Sequence, residues 1–110
     1  MVDKELRIIT SRLAESLNPE KIYLFGSFAR NEENNESDYD IYIMLRDDDD
    51  GIKGAYLKAY KSVRGYRTKP IDFIIGTVSG FENRKKLPLI ERTIANEGVL
   101  LYDRSGYSSK

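Results

Sequence analysis

The chain has 110 residues, the usual size of one compact domain, and 40% of them are hydrophobic, so we expect one globular domain with a single core. Eighteen basic residues balance eighteen acidic ones, and this net charge of zero disfavours binding to nucleic acid or anionic lipid. The sequence contains no cysteine or histidine, which excludes disulfides, zinc sites built from thiolates or imidazoles, and Ser-His-Asp hydrolysis.

The sequence shows no sign of export or membrane insertion. Its N-terminus mixes charged and periodic apolar residues, unlike a signal peptide, and no stretch approaches the ~20 apolar residues of a membrane span. Because the composition gives no sign of an oxidising compartment either, we expect a cytoplasmic protein.

The first predicted elements are a helix and a strand. Apolar residues recur at three- and four-residue spacing over residues 2–17, which predicts an amphipathic helix that stops at residues 18–19. Residues 21–25 are rich in β-forming side chains and bounded by proline and glycine, which predicts a buried strand that ends at residues 26–27.

The middle of the chain contains polar and acidic runs. We predict a short turn of helix at residues 28–30, a solvated polar loop over residues 31–37 and a second strand over residues 38–45. Residues 47–50 are four aspartates without an apolar frame, so an exposed turn is favoured over a metal site.

The remaining elements also alternate between helix and strand. A helix is predicted from residue 52 to just before Gly65, and a third strand over residues 71–75. Pro88 argues against one continuous helix over residues 81–96 and fits the first turn of a shorter helix.

The end of the chain completes the predicted fold. A final strand covers residues 99–102, and residues 105–110 are expected to form a frayed tail. Alternating helices and strands predict an α/β (α+β) fold in a single domain over residues 1–110.

Three aspartates are candidate metal ligands. Asp38 and Asp40 lie two apart in a strand, so their side chains share one face roughly 7 Å apart, and a divalent cation is the natural partner of two such carboxylates. Asp72 interrupts a strand so apolar that both of its faces are expected to be covered, and a buried carboxylate is costly unless it is paired or metal-bound. The alternatives are surface aspartates at 38 and 40 and a strand-end cap at Asp72.

Candidate phosphate ligands follow the first strand. Gly26 lets the backbone approach a phosphate, and the amide and hydroxyl of Ser27 begin a helical turn, where anions are favoured. Alone, such a pair is an ordinary strand-ending turn. Arg30 lies one turn beyond Ser27, where it reaches a phosphate or an acidic partner, or is a solvated surface arginine.

These candidates form a recognisable assembly. An apolar strand leads into Gly26-Ser27, ten residues intervene, and Asp38-x-Asp40 opens the next strand. Residues 23–30 (YLFGSFAR) and 37–41 (SDYDI) resemble the minimal nucleotidyltransferases of the DNA polymerase beta superfamily. The resemblance covers residues 23–45 most specifically.

The resemblance implies a nucleotidyltransferase fold, a small mixed β-sheet flanked by helices. It implies that two aspartates hold two Mg²⁺ ions, that the Gly-Ser turn binds the triphosphate of ATP, and that a carboxylate on a later strand is the third metal ligand and base. The catalytic and metal-binding candidates are then Asp38, Asp40 and Asp72, and the nucleotide-binding candidates are Gly26, Ser27 and Arg30.

The resemblance further implies a protein adenylyltransferase of the EC 2.7.7 class. It would transfer AMP to a hydroxyl, expected to be a tyrosine, of a HEPN-domain toxin, and this chain would be the antitoxin. Two alternatives stay open: a binding module with this fold that neutralises a partner by occupancy, and a small-molecule nucleotidyltransferase whose short chain needs a dimer to complete its pocket. A homodimer and a hetero-oligomer are both compatible with the sequence.

Overall fold

The computed structural model describes residues 3–34, 37–47 and 51–106. No helix in these ranges is long and apolar enough to cross a membrane. The elements run in the order α1 (Lys4–Leu17), β1 (Lys21–Phe25), β2 (Tyr39–Leu45), α2 (Ile52–Val63), β3 (Ile71–Thr77), α3 (Val78–Arg84), α4 (Ile90–Glu97) and β4 (Val99–Asp103).

The four strands form one mixed sheet in the order β3-β2-β1-β4. β1 pairs antiparallel with β2 and with β4, whereas β2 and β3 are parallel. Parallel neighbours need a crossover connection, and α2 provides it. The predicted α/β (α+β) fold with a small mixed sheet flanked by helices is therefore confirmed.

Helices cover both faces of the sheet. One core contains α1 and α2 packed on the odd-numbered residues of β2 and β3, among them Ile41, Ile43 and Phe73. The other core contains Phe81 of α3 and Ile94 of α4 packed on even-numbered β2 residues such as Tyr42. Because side chains alternate along a strand, Asp40 and Asp72 belong to the face that α3 and α4 cover.

The first helix begins at a side-chain cap. Asp3 is the N-cap, and its Oδ1 accepts a hydrogen bond of 2.8 Å from the backbone amide of Leu6. The helix ends at Asn18, which adopts the left-handed conformation with φ of 49°. The predicted end is confirmed. The predicted start of the helix at residue 2 is corrected, because Asp3 is the N-cap and α1 begins at Lys4. Val2 lies outside the described residues.

The segment around Pro88 differs from the prediction in one respect. Two separate helices, α3 and α4, replace a continuous one, as the proline indicated. Pro88 nevertheless lies two residues before α4 rather than in its first turn. Leu89 is the N-cap of α4 with an extended backbone, φ −122° and ψ 174°, so the proline belongs to the preceding loop.

Three predicted features fall partly outside the described residues: the polar loop at residues 35–36, the acidic turn at 48–50 and the tail at 107–110. Asp47, which is described, is exposed, and its Oδ1 accepts a 2.9 Å hydrogen bond from the amide of Ser79. The beginning of the tail is hydrogen-bonded rather than frayed, because Ser105 donates from its amide and its hydroxyl to Asp103 Oδ1.

Candidate active site

Three strand ends meet at one edge of the sheet. The C-terminal end of β1 lies beside the N-terminal end of β2, with Phe25 opposite Asp40. The N-terminal end of β3 follows, with Asp40 opposite Asp72. Since neighbouring strands are about 4.8 Å apart, this register places Asp40 and Asp72 side by side on the same face.

Asp38 lies directly before β2. Its side chain belongs to the same face as Asp40 by the alternation of the strand. The amide of Tyr39 donates a 3.0 Å hydrogen bond to the carbonyl of Pro70, which ties the start of β2 to the loop that leads into β3. Asp38, Asp40 and Asp72 thus lie at the same edge of the sheet, and their role as metal ligands stays a prediction.

The electrostatics of Asp40 connect these groups. Burial raises the pKa of Asp40 above its ordinary value, and the negative charges of Asp72 and Asp38 raise it further. The positive charge of Arg30 acts in the opposite direction and lowers this pKa. Asp40 therefore lies within electrostatic reach of two other carboxylates and one guanidinium, each of them a predicted site residue.

Asp72 is exposed, which corrects the expectation that both faces of its strand are covered. β3 is an edge strand, and its buried residues Ile71, Phe73 and Ile75 all face α1 and α2. At Asp72 the other face is open. Burial therefore does not mark Asp72 as a metal ligand, but its strand register still places it beside Asp40.

Gly26 is required by two features of the turn after β1. Its φ of +77° lies in the left-handed region, which side chains other than glycine rarely adopt. A Cβ atom at this position would also overlap Oδ2 of Asp40. The glycine thus allows the Asp40 carboxylate to lie against the backbone of the turn.

Ser27 lies in a series of turns rather than a regular helix. The amide of Arg30 donates to the carbonyls of Gly26 and Ser27, both at 3.2 Å, and the amide of Glu32 donates to the Ser27 carbonyl at 2.8 Å. Asn31 closes the segment with a φ of 59°. The predicted helical turn is present as one turn, which left-handed residues at both ends prevent from extending.

Arg30 has acidic partners. Its Nε lies 2.9 Å from Oε1 of Glu32, and its Nη1 lies 3.8 Å from Oε1 of Glu97 at the end of α4. Arg30 is thus an exposed arginine with carboxylate partners, and its role in nucleotide binding stays a prediction. Glu32 is two residues away and could have been proposed from the sequence, whereas no local pattern connects Glu97 with Arg30.

The donor set at this edge fits a magnesium ion chemically. Carboxylate oxygens are the ligands that Mg²⁺ prefers, and a cation would relieve the repulsion that raises the pKa of Asp40. No three acidic side chains within the described ranges lie close enough to enclose a cation. The candidates to hold magnesium are therefore Asp38, Asp40 and Asp72, with part of the coordination left to a bound nucleotide.

The arrangement as a whole favours a metal-bound anion over a bare one. Three carboxylates repel an isolated phosphate, but they attract a phosphate that carries a divalent cation. The Gly26 turn and Arg30 border the same carboxylates and provide backbone and cationic groups for the phosphate oxygens.

The sequence matches one protein family. The family described as polymerase beta nucleotidyltransferase matches residues 8–107, a range that includes all six candidate residues. No curated protein sequence matches the chain at a significant level.

Two solved structures are similar to this one. A Sulfolobus solfataricus protein provisionally assigned as a nucleotidyltransferase has a TM-score of 0.58 and 22% identity, over 93% of this chain and 80% of that chain. A toxin-antitoxin structure with AMP-PNP has a TM-score of 0.63 and 21% identity, over 92% of this chain and 74% of that chain. At these identities the likeness shows a shared fold.

Proposed function

We infer the function from one premise, that this chain belongs to the polymerase beta nucleotidyltransferase family. The family and the fold support a transferase of the EC 2.7.7 class. We propose that the chain transfers AMP from ATP to a hydroxyl group of a partner protein in a magnesium-dependent reaction. The observation that carries this proposal is the register of Asp40 beside Asp72, with Gly26 packed against the Asp40 carboxylate.

The proposed roles follow from position and exposure. Magnesium held by Asp38, Asp40 and Asp72 would neutralise the triphosphate and the charge that develops during transfer. Asp72 is exposed, so it can accept the proton of an incoming hydroxyl. The hydroxyl oxygen forms a bond to the α-phosphorus, the bond from that phosphorus to the bridging oxygen breaks, and pyrophosphate leaves.

The Gly26 turn and Arg30 bind the nucleotide in this proposal. The turn offers the backbone and hydroxyl of Ser27 to the phosphates without a side chain at Gly26 in the way. The Arg30 guanidinium exchanges its carboxylate partners Glu32 and Glu97 for phosphate oxygens, with which it forms charge-assisted hydrogen bonds of the same kind.

We further propose that the acceptor is a tyrosine of a HEPN-domain toxin and that this chain is its antitoxin. The similar fold of a toxin-antitoxin structure with AMP-PNP, an ATP analogue, supports a protein partner and ATP as donor. The exposed edge at Asp72 also supports a macromolecular acceptor, because a hydroxyl on a large surface can reach a carboxylate that is not enclosed.

Nucleotide binding can be tested without the partner. We expect MgATP at ~100 times its dissociation constant to stabilise the fold by about 2.7 kcal/mol, which raises the melting temperature by roughly 10 °C. The Asp40→Asn variant should lose this shift, and omission of magnesium should abolish it in the wild type. Equal shifts in wild type and variant would remove Asp40 from the site.

Transfer requires the partner. The protein encoded beside this chain is incubated with it and MgATP, and its intact mass is measured. Addition of the mass of one adenylyl group (AMP minus water), absent with Asp40→Asn, supports the proposal. Complex formation without a mass change supports the binding module instead, and transfer only to an aminoglycoside supports the small-molecule alternative.

A further inference from the structure

One segment of this neutral protein is strongly basic. Residues 51–70, which contain α2 and the loop to β3, hold six of the eighteen basic residues and none of the acidic ones. We call these six residues the cationic face: Lys53, Lys58, Lys61, Arg64, Arg67 and Lys69. All except the half-buried Lys69 are exposed.

The cationic face shares a groove at Lys58 and Lys61 with Glu15, but it contains no salt bridge within the described residues. Across residues 3–34, 37–47 and 51–106, none of its members forms an ion pair with a carboxylate. Arg30, Arg84 and Lys85, by contrast, all have carboxylate partners. Unpaired like charges on one surface repel one another, so an anionic ligand that covers them is favoured.

Two exposed apolar residues of α2 lie among the residues of the cationic face. Leu57 is 59% exposed and Tyr60 is 40% exposed. On α2, Leu57 lies four residues from both Lys53 and Lys61 and three residues from Tyr60, so Leu57 neighbours each of these side chains on the helix surface. An apolar patch with a charged border is the usual composition of a protein-binding surface.

The cationic face leads to the candidate active site. Residues 64–70 connect α2 to β3, and Lys69 lies three residues before Asp72. The carbonyl of Pro70 accepts the hydrogen bond from Tyr39, between Asp38 and Asp40. The loop end of the cationic face therefore lies at the edge of the sheet at which the three aspartates meet, whereas α2 itself covers the opposite face of the sheet.

The loop is held in place by α1. Glu5 accepts hydrogen bonds from the amide of Thr68 at 2.5 Å and from its hydroxyl at 2.8 Å. The guanidinium of Arg12 lies 4.0 Å from the ring centre of Tyr66. A loop fixed in this way loses little conformational entropy on binding, which favours a docking surface.

We propose that the cationic face docks the acceptor protein, and that it recognises an acidic surface with an apolar centre next to the modified hydroxyl. This inference rests on the proposed function, because it names the chemistry of the protein acceptor.

Nucleic acid suits this surface less well. Tyr60 packs its ring against Phe73 at 4.8 Å, and Arg12 covers one side of the Tyr66 ring, so neither ring is free on all sides for base stacking.

The test uses defined probes and the full chain. Probes are a fluorescent peptide of alternating glutamate and leucine with a central tyrosine, a polyglutamate peptide of equal charge, and an oligouridylate of equal charge. Binding is measured by anisotropy at low salt, without ATP or magnesium. We expect the glutamate–leucine peptide to bind tightest. The double variant Lys58→Glu with Lys61→Glu should lower the affinity for this peptide at least tenfold, which is ~1.4 kcal/mol.

A matched control separates local from overall charge. Lys86→Glu with Arg104→Glu changes the net charge equally at exposed positions outside the cationic face, and it should alter the affinity less than about twofold. Leu57→Ala should lower the affinity for the glutamate–leucine peptide and leave the affinity for polyglutamate unchanged. No binding of that peptide, equal loss in both double variants, or tighter binding of the oligouridylate would each overturn the inference.

Failure of this inference is distinguishable from failure of the proposed function. Peptide binding is measured without nucleotide, so Asp40→Asn should leave it intact. If the peptide binds as expected but neither it nor the partner receives AMP, the transferase proposal fails and the docking surface stands. If AMP reaches the partner equally fast in both double variants, the docking proposal fails and the transferase stands.

Discussion

Gly26 and Asp40 constrain each other at the scale of single residues. The positive φ of Gly26 disfavours any residue with a side chain. A Cβ atom at this position would also overlap the Asp40 carboxylate. We expect Gly26→Ala to lower the free energy of unfolding by about 2 kcal/mol and to abolish MgATP binding. Gly54→Ala is the control, because a Cβ there meets nothing within 4 Å, and it should stabilise α2 by ~0.5–1 kcal/mol. Urea unfolding of both variants checks this, and equal effects would contradict it.

Asp40 also makes stability depend on pH. The raised pKa of Asp40 means that the folded state disfavours the charged carboxylate. The resulting loss of stability is absent below about pH 4, the pKa of this group in the unfolded chain, and is complete above its pKa in the folded state. We expect Asp40→Asn to be more stable than wild type by roughly 0.5 kcal/mol at pH ~7, a small value because solvent screens this half-exposed group. The difference should disappear at pH ~3.5 in urea unfolding. Glu33→Gln, an exposed control, should show no such pH-dependent gain.

The sequence could predict that Gly26, Asp38 and Asp40 lie near one another because their signal is local, whereas their chemical roles stay predictions. The spacing from Gly26 to Asp40 is a property of one strand-turn-strand segment, and the structure brings these residues to one edge. The sequence could not predict the exposure of Asp72, because strand order decides which apolar strand lies at the edge. It could not predict Glu97 beside Arg30 either, since that contact depends on where α4 packs.

At the scale of elements, α3 and α4 are joined by a charged contact. Glu91 is 4% exposed, its Oε2 lies 3.0 Å from Nε of Arg84, and within the described residues its buried Oε1 has no hydrogen-bond partner. We expect Arg84→Met to destabilise the fold by about 2 kcal/mol, because it leaves a buried carboxylate unpaired. Adding Glu91→Met should restore most of this loss. Urea unfolding of the four proteins in this cycle measures the coupling, and additive effects would show that the pair is not coupled.

The sequence could predict the end of a helix where a capping residue or a helix-breaking residue stands at that end. Asn18 ends α1, as predicted, and Gly98 ends α4. α3 was not predicted as a separate helix, because its seven residues carry too little periodic signal. Its start depends on Thr77, whose side chain accepts a 3.2 Å hydrogen bond from the amide of Gly80.

Across the whole molecule, two buried tyrosines of β2 face opposite cores. Burial and the charge of Asp3 raise the pKa of Tyr39, and burial and the charge of Glu91 raise the pKa of Tyr42 to about 12. Tyrosines of the unfolded chain ionise near pH 10, so the stability that these groups contribute is complete below about pH 10 and is lost as the pH rises towards 12. Urea unfolding should show this decline, with a smaller decline in Tyr42→Phe. Tyr66→Phe, an exposed control, should decline like the wild type.

The cationic face also belongs to the scale of the whole molecule. A net charge of zero disfavours binding to nucleic acid or anionic lipid, but a total charge contains no information about position. Five of the six cations of residues 51–70 are exposed. The run without an acid was visible in the sequence, but only the structure shows that the loop at its end lies at the edge of the sheet where the aspartates meet.

The contact between Gly26 and Asp40 has a consequence for how such sequences diverge. A side chain at position 26 is compatible with the fold only if the group at position 40 becomes smaller and the turn finds a new backbone conformation. Descendants that keep the chemistry must therefore inherit both residues unchanged. In descendants that have lost the activity, neither residue is constrained any longer. Substitution of Gly26 should therefore be accompanied by substitution of Asp40.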